Sequence, residues 1–191
     1  LLRTPDVIGK KVRFKKCTTN SLPYQEFFTA HADDGTTESY PMDAWIKLLG
    51  LFISDGYSTQ ETTRYIMLHT GRIGLSTTKI RKTIFHREIL SELNVRYTMD
   101  QEVTYISGHQ YPALWHELKQ LRLGVPNKHL PDYVWKLSRC QSRILLNSLI
   151  AGGLYNNNDS SGYYTDNVKL ANDISRLVLH TGWSCNIENV I

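Results

Sequence analysis

Hydrophobic and small residues run almost unbroken through positions 44–54, and the run ends on the polar pair Asp55 and Gly56. A stretch this apolar predicts a buried α-helix over residues 43–55. Asp43 is a suitable N-cap, and glycine just past a helix end is the common left-handed stop. The pattern therefore predicts that the rest of the fold packs around this helix.

A second hydrophobic stretch, residues 144–155, repeats the design of the first. Gly50 and Ser54 are four residues apart in the first, and Ser148 and Gly152 are four apart in the second. Small residues at this spacing form a flat strip that lets two helices approach closely. An internal repeat predicts two related halves, and helices meeting through their small faces would bring their C-terminal ends side by side.

The two helix ends differ in their chemistry. Asp55 lies in the last turn, where a carboxylate faces the negative end of the helix dipole at a cost of up to about 1 kcal/mol. Such a residue indicates either a metal site or a solvated loop. The second helix reads Ala151-Gly152-Gly153-Leu154 at the same place and has no acid there.

The polar and apolar alternation between the two helices predicts a series of short elements. We expect strands at 62–70 and 72–77, a helix at 79–93, a hairpin at 96–99 and 102–107, and short helices at 111–121 and 131–137. After the second helix we expect a strand at 163–165, a helix at 167–179 and a strand at 183–191. Twenty-two positions separate Asp55 from Thr77 but twelve separate Gly153 from Thr165, so one strand is predicted to be missing from the second half.

One face of the first sheet would be polar and free for binding. A β-ribbon can enter the major groove of DNA, and Arg, Gln and Thr can contact base edges there. Lys79 belongs to a basic cluster, residues 72–87, that fits phosphate contacts, although a solvated charged face is the plain alternative. The candidates for the outer sheet face are Gln60, Thr62, Arg64, Arg72, Ser76, Arg96 and Thr98.

Bulk composition limits the classes of protein. The chain has 191 residues, 41% hydrophobic residues and a net charge of +4, which is typical of a soluble globular protein. It has no membrane-length apolar run, and its three cysteines fit neither a disulfide framework nor a zinc site. We expect a soluble, intracellular protein. Residues 1–40 match no motif, and 30–40 is predicted to be a loop or linker.

Specific motifs give a family resemblance. Leu48-Leu-Gly-Leu-Phe-Ile-Ser-Asp-Gly56 and Leu146-Asn-Ser-Leu-Ile-Ala-Gly-Gly153 resemble the two signature helices of the LAGLIDADG homing endonucleases. Residues 125–135 and 162–183 are similar to the corresponding segments of intein-borne members. The resemblance covers residues 42–191 and implies an α/β (α+β) fold of two pseudo-symmetric αββαββα half-units, 41–137 and a shortened 138–191, with saddle-shaped sheets for DNA. Residues 1–40 would be a leader, the remnant of a host domain or a DNA-contacting extension.

The resemblance also implies an activity. Such a monomer would bind a long pseudo-palindromic site in double-stranded DNA and hydrolyse both strands with Mg²⁺ or Mn²⁺. Asp55 would be a catalytic metal ligand, whereas the expected second aspartate is either replaced by Gly153 or deleted between Gly152 and Gly153. We therefore expect cleavage that is weak, confined to one strand or absent. A catalytically inactive DNA-binding module and an RNA-splicing cofactor remain as alternatives.

Overall fold

The computed structural model describes residues 22–61, 70–76, 80–99, 103–121, 128–157, 160–163 and 165–187. Within these ranges the chain forms five α-helices, one 3-10 helix and eight strands. In chain order they are β1 (Phe27–His31), β2 (Thr37–Pro41), α1 (Met42–Asp55), β3 (Gly56–Glu61), β4 (Thr70–Ser76), α2 (Ile80–Glu92), β5 (Thr98–Met99), β6 (Val103–Ser107), α3 (Pro112–Gln120), the 3-10 helix Asp132–Lys136, α4 (Arg139–Gly153), β7 (Leu154–Asn157), β8 (Ser160–Tyr163) and α5 (Val168–His180).

The sheets are small and antiparallel. Strands β3 to β6 form a four-stranded sheet in the order β3-β4-β6-β5, while β1 with β2 and β7 with β8 form separate hairpins. The element order from α1 to α3 is αββαββα, and the order from α4 to α5 is αββα. The predicted mixture of helices with antiparallel sheets is confirmed at this level.

Most helix predictions agree closely with the structure, but the second hydrophobic stretch, 144–155, forms α4 from Arg139 to Gly153, and Leu154 and Tyr155 belong to β7. Helices α1, α2 and α5 lie within one residue of their predicted bounds, and α3 and the 3-10 helix occupy the two places where short helices were expected. The predicted cap of α1 is wrong. Pro41 is the N-cap residue, and Asp43 lies inside the first turn, where its Oδ1 accepts a hydrogen bond from Gln141 Nε2 at 3.2 Å.

The strand predictions need several corrections. Strand β3 begins at Gly56 rather than at residue 62, and residues 62–69 lie outside the described ranges. Residues 30–40 were predicted to be a loop, but they form most of the β1–β2 hairpin. Ala30 of β1 and Tyr40 of β2 are buried, so both strands pack against the core. The strand predicted at 163–165 is β8, which runs from Ser160 to Tyr163, and Thr165 lies in no strand. Residues 183–187 are not a strand, and residues 188–191 are not described.

The strand predicted to be missing between α4 and α5 is present. Two strands, β7 and β8, follow α4, but each has four residues, whereas β3 has six and β4 seven. The shorter spacing in the sequence therefore comes from shorter strands and from a shorter segment between them, two residues instead of eight, and not from the loss of a strand.

Helix α1 lies at the centre of the core. Its Trp45 is completely buried and stacks on Phe28 of β1 at a ring distance of 4.3 Å, and its indole nitrogen donates a 2.9 Å hydrogen bond to the hydroxyl of Tyr133. Tyr40 of β2 stacks on the same indole at 6.1 Å. This aromatic cluster holds the β1–β2 hairpin and the 3-10 helix against α1. Among the described residues, no helix is both long enough and apolar enough to cross a membrane.

Candidate functional site

Helices α1 and α4 meet through their small residues. A methyl group added at Gly50 would lie 2.6 Å from Ser148 Cβ, and one added at Gly152 would lie 2.6 Å from Ser54 Cβ. Both distances are too short for real carbon atoms, so each glycine allows the backbone of one helix to approach a serine of the other. Because residue numbers rise together along the two contacts, the helices run parallel and end on the same side of the molecule.

A polar contact crosses the same interface. Ser54 Oγ lies 3.0 Å from the carbonyl oxygen of Gly50 in its own helix and 3.0 Å from that of Leu149 in α4. The hydroxyl can thus donate to either carbonyl, which satisfies a polar group in a partly buried position. It also fixes the last turn of α1 against α4, just before Asp55.

Gly56 joins this helix end directly to the four-stranded sheet. Its φ of −78° and ψ of 157° are extended, so the predicted left-handed stop is wrong. The reason for glycine is space, since an added Cβ would lie 2.6 Å from the Cα and the carbonyl oxygen of Phe52. The chain therefore leaves α1 and enters β3 without a connecting loop.

Asp55 and Gly153 are the last residues of α1 and α4. The structure describes their helical backbone but not the side chain of Asp55. Gly153 has no side chain, and the next residue already begins β7. Among the described side chains, no group of three His, Cys, Asp or Glu residues could hold a metal ion. The described part of the site is thus a pair of adjacent helix ends rich in backbone carbonyl oxygens.

Lys128 adds a cation that the sequence analysis missed. Its Nζ donates a 2.9 Å hydrogen bond to the carbonyl oxygen of Ile53, in the last turn of α1. Helix α1 has no basic residue of its own in that turn, and carbonyls there lack partners within the helix. A cation at this end also interacts favourably with the helix dipole. One indication of its importance was present in the sequence. Lys128 lies in the segment 125–135, which is similar to the corresponding segment of intein-borne homing endonucleases.

The strand register orders the candidate residues of the sheet. Arg72 pairs with Ser107, Ser76 with Val103, and Thr98 with Tyr105, and these β6 partners are all half-buried. They alternate with Thr104 and Ile106, which are completely buried. In the strand register, Arg72, Ser76 and Thr98 therefore pair with the half-buried positions of β6 and not with its buried ones.

The other candidates divide into three groups. Gln60 pairs with Gly71 in the register of β3 and β4. Arg96 is exposed and lies just before β5, where its backbone nitrogen donates to the hydroxyl of Tyr111 at 2.7 Å. Thr62, Arg64 and Lys79 lie outside the described residues.

Comparison with known proteins gives two relatives. No protein-family model matches the chain. The chain is 31% identical over 98% of its length to an ATP-dependent Clp protease proteolytic subunit of Chlamydomonas moewusii. It is 28% identical over 97% of its length to a DNA-directed RNA polymerase subunit beta C-terminal section of Stigeoclonium helveticum. The chain spans about a fifth of the length of each relative.

Proposed function

We propose that this chain is a LAGLIDADG-type homing endonuclease region whose reactive site lies at the paired ends of α1 and α4. The observation that carries the proposal is the reciprocal contact of Gly50 with Ser148 and of Ser54 with Gly152, which runs the two helices parallel. Asp55 and the residue in the equivalent place, Gly153, thereby end neighbouring helices. Two reactive groups that cut two strands of one duplex would need this kind of juxtaposition.

The sheet would supply the binding surface. Arg72, Ser76 and Thr98 pair with the half-buried positions of β6, and Arg and Thr side chains can hydrogen-bond to base edges in the major groove. The β3–β4 ribbon starts directly at the helix end, so bases contacted by the sheet would flank the phosphates at the helix ends. The two half-units, 41–137 and 138–191, would then follow the two halves of a pseudo-palindromic site.

The two relatives support this proposal in a different way. Their names describe a protease subunit and an RNA polymerase subunit, yet nearly the whole chain aligns with about a fifth of each. A segment shared by proteins with such different names is what an inserted, transferable element would produce. Homing endonucleases carried within host proteins are elements of this kind.

The residues at the helix ends fit Mg²⁺ in part. Asp55 and the helix-end carbonyl oxygens are the hard oxygen ligands that Mg²⁺ and Mn²⁺ prefer, whereas Gly153 contributes no carboxylate. When bound, such an ion would activate water and stabilise charge on the departing oxygen. Asp55 would hold the ion on one side, and the Lys128 ammonium beside it would attract the phosphate of one strand.

Because only one of the two helix ends carries a carboxylate, we expect that the chain nicks one strand of the duplex or binds it without cutting. The proposal predicts that Gly153→Asp converts a nicking or inactive protein into one that cuts both strands. The measurement is cleavage of a supercoiled plasmid carrying a site selected by binding from a random duplex library, with Mg²⁺ or Mn²⁺. Gly153→Asn serves as the matched control, because it adds a side chain of the same size without the charge.

The expected products distinguish the outcomes. Gly153→Asp should give linear plasmid, Gly153→Asn at most nicked circles, and Asp55→Asn combined with Gly153→Asp should lose the linear product. If no variant cuts but a defined duplex is bound in a salt-dependent manner, the chain is a DNA-binding module and the catalytic part of the proposal is wrong. Preference for structured RNA over every duplex would favour the splicing cofactor instead.

A further inference from the structure

Lys128 is held by a residue of α5 as well as by its contact with α1. Asn167 Nδ2 donates a 2.9 Å hydrogen bond to the carbonyl oxygen of Lys128, while its Oδ1 accepts one from Leu170 N at 3.0 Å. Asn167 is 7% exposed, so both ends of its amide are used in a buried position. Capping α5 would require the acceptor alone. The amide donor, Nδ2, is not needed for the cap, and its hydrogen bond to Lys128 O is a second role of Asn167.

A neighbouring contact fixes the same segment from the next turn of α5. Asp173 Oδ2 accepts a 3.0 Å hydrogen bond from the backbone nitrogen of Leu130. The backbone of residues 128–130 is thus bound at two points to α5, while the Lys128 ammonium reaches α1. The position of this cation at the end of α1 depends on a helix that follows α4 in the chain.

We infer that Asn167 is a positioning residue that holds the Lys128 ammonium at the end of α1. The position itself follows from the contacts, and its role in cleavage rests on the proposed function. In this arrangement the second half-unit, which lacks its own acid at Gly153, still contributes to the reactive site of the first. Loss of the amide donor at position 167 would then displace Lys128 without unfolding α5.

A pair of variants separates positioning from capping. Asp and Ser are as effective as Asn at an N-cap, but neither offers an amide donor to Lys128 O. Asn167→Asp and Asn167→Ser should therefore leave the melting temperature nearly unchanged while releasing the Lys128 backbone. Asn167→Ala removes both functions and should lower the melting temperature as well. The comparison of these three variants shows which effects come from the cap.

The first readout needs no catalysis. The lysines are reductively methylated with ¹³C-formaldehyde, and the Lys128 signal is assigned by its loss in Lys128→Arg. In Asn167→Asp and Asn167→Ser we expect its chemical shift to move to that of solvent-exposed lysines. Lys47 is the internal control. Its Nζ pairs with Glu92 Oε2 at 2.7 Å, both residues are far from α5 in the sequence, and its chemical shift should not change. An unchanged Lys128 signal in both variants would overturn the inference.

The second readout tests the catalytic consequence. In the Gly153→Asp background, Asn167→Ser should reduce the single-turnover cleavage rate by about 10- to 100-fold, because misplacement of a reactive group by an ångström has effects of this size. The Kd for the duplex should stay within about twofold. Undiminished cleavage despite a shifted Lys128 signal would show that this position is irrelevant to the reaction. If the Gly153→Asp parent itself fails to cleave, the proposed function fails, and the methyl signals alone decide the placement of Lys128.

Discussion

Individual residues define how closely α1 and α4 approach. The glycine and serine pairs were visible in the sequence, because their spacing of four residues is a local property of a helix. Which glycine faces which serine was not visible, since that depends on the direction and register of a long-range contact. The structure places Gly50 on Ser148 and Gly152 on Ser54, with distances that leave no room for a methyl group.

We predict that Gly50→Ala lowers the free energy of unfolding by about 1–3 kcal/mol, which is the usual cost of overpacking. The added methyl would meet Ser148 Cβ at 2.6 Å and the backbone of Leu149 at 3.0 Å. Adding Ser148→Gly should recover part of the loss by removing the first of these contacts. Urea unfolding measures both changes, with Asn147→Ala, at an exposed position of α4, as the control. Equal stability of Gly50→Ala and the wild-type chain would contradict the prediction.

Lys128 shows the limit of prediction at this scale. Asp55 could be selected from the sequence because it ends a hydrophobic run, which is a local pattern. Lys128 contacts Ile53 across a separation of 75 residues, and nothing in its immediate neighbours marks that contact. Asn167 is similar, since its capping role is local but its bond to Lys128 spans 39 residues. Contacts of this kind depend on the completed fold.

Among the secondary-structure elements, helices were easier to predict than strands. The apolar run of α1 and the helical spacing of the hydrophobic positions in α2 and α5 are local signals that need no partner. Strand β3 reads Gly-Tyr-Ser-Thr-Gln-Glu, which has no apolar alternation, and its conformation comes from pairing with β4. The β1–β2 hairpin was missed because its Asp-Gly turn resembles a linker until Ala30 and Tyr40 are seen to pack in the core.

Strand β2 and helix α3 share one carboxylate. The Glu38 side chain accepts hydrogen bonds from Ala113 N at 3.4 Å and from Leu114 N at 2.9 Å, so it satisfies the first turn of α3. Tyr40, buried two residues later, donates its hydroxyl proton to Glu38 Oε2 at 2.6 Å. Burial, and then the hydrogen bond to Glu38, raise the pKa of Tyr40 well above its usual value. The phenol proton of Tyr40 therefore helps to hold the Glu38 carboxylate that joins the hairpin to α3.

We predict that stability falls at alkaline pH partly through Tyr40. The folded chain keeps the Tyr40 proton, whereas the unfolded chain releases it above about pH 10. The contribution is therefore fully present below pH 10 and is lost as the pH rises further. Urea unfolding between pH 8 and pH 11 should show a shallower decline for Tyr40→Phe than for the wild type. Parallel declines would assign the alkaline loss to other groups.

At the scale of the whole molecule, buried polar contacts connect distant parts of the chain. Gln141, completely buried in α4, donates from Nε2 to the carbonyl oxygen of Gln25 at 2.6 Å and to Asp43 in α1 at 3.2 Å. Its Oε1 accepts from Gln25 N at 3.2 Å. Together with the close contact of α1 and α4, this network links the segment before β1, the first turn of α1 and the first turn of α4.

We predict that the described part of the chain unfolds in one cooperative transition. Trp115 reports on α3, and Trp135 packs under Arg176 of α5 at 3.9 Å, so the two indoles sense elements on either side of α4 in the sequence. With 5-fluorotryptophan incorporated, their ¹⁹F signals should disappear at the same urea concentration. Gln141→Leu should move both midpoints together, because it leaves buried partners unsatisfied at a cost of about 1–3 kcal/mol. Separate midpoints in the wild-type chain would show two independent units.

The direct passage from α1 into β3 at Gly56 has a further consequence. Without a loop, the helix end and the first strand are joined directly, and each strand residue adds about 3.3 Å to the distance from the helix end. One residue inserted at this junction would shift the strand by one step and turn its side chains to the opposite face. The distance between the helix end and any position on the sheet is therefore set by counting residues, which a flexible joint could not maintain.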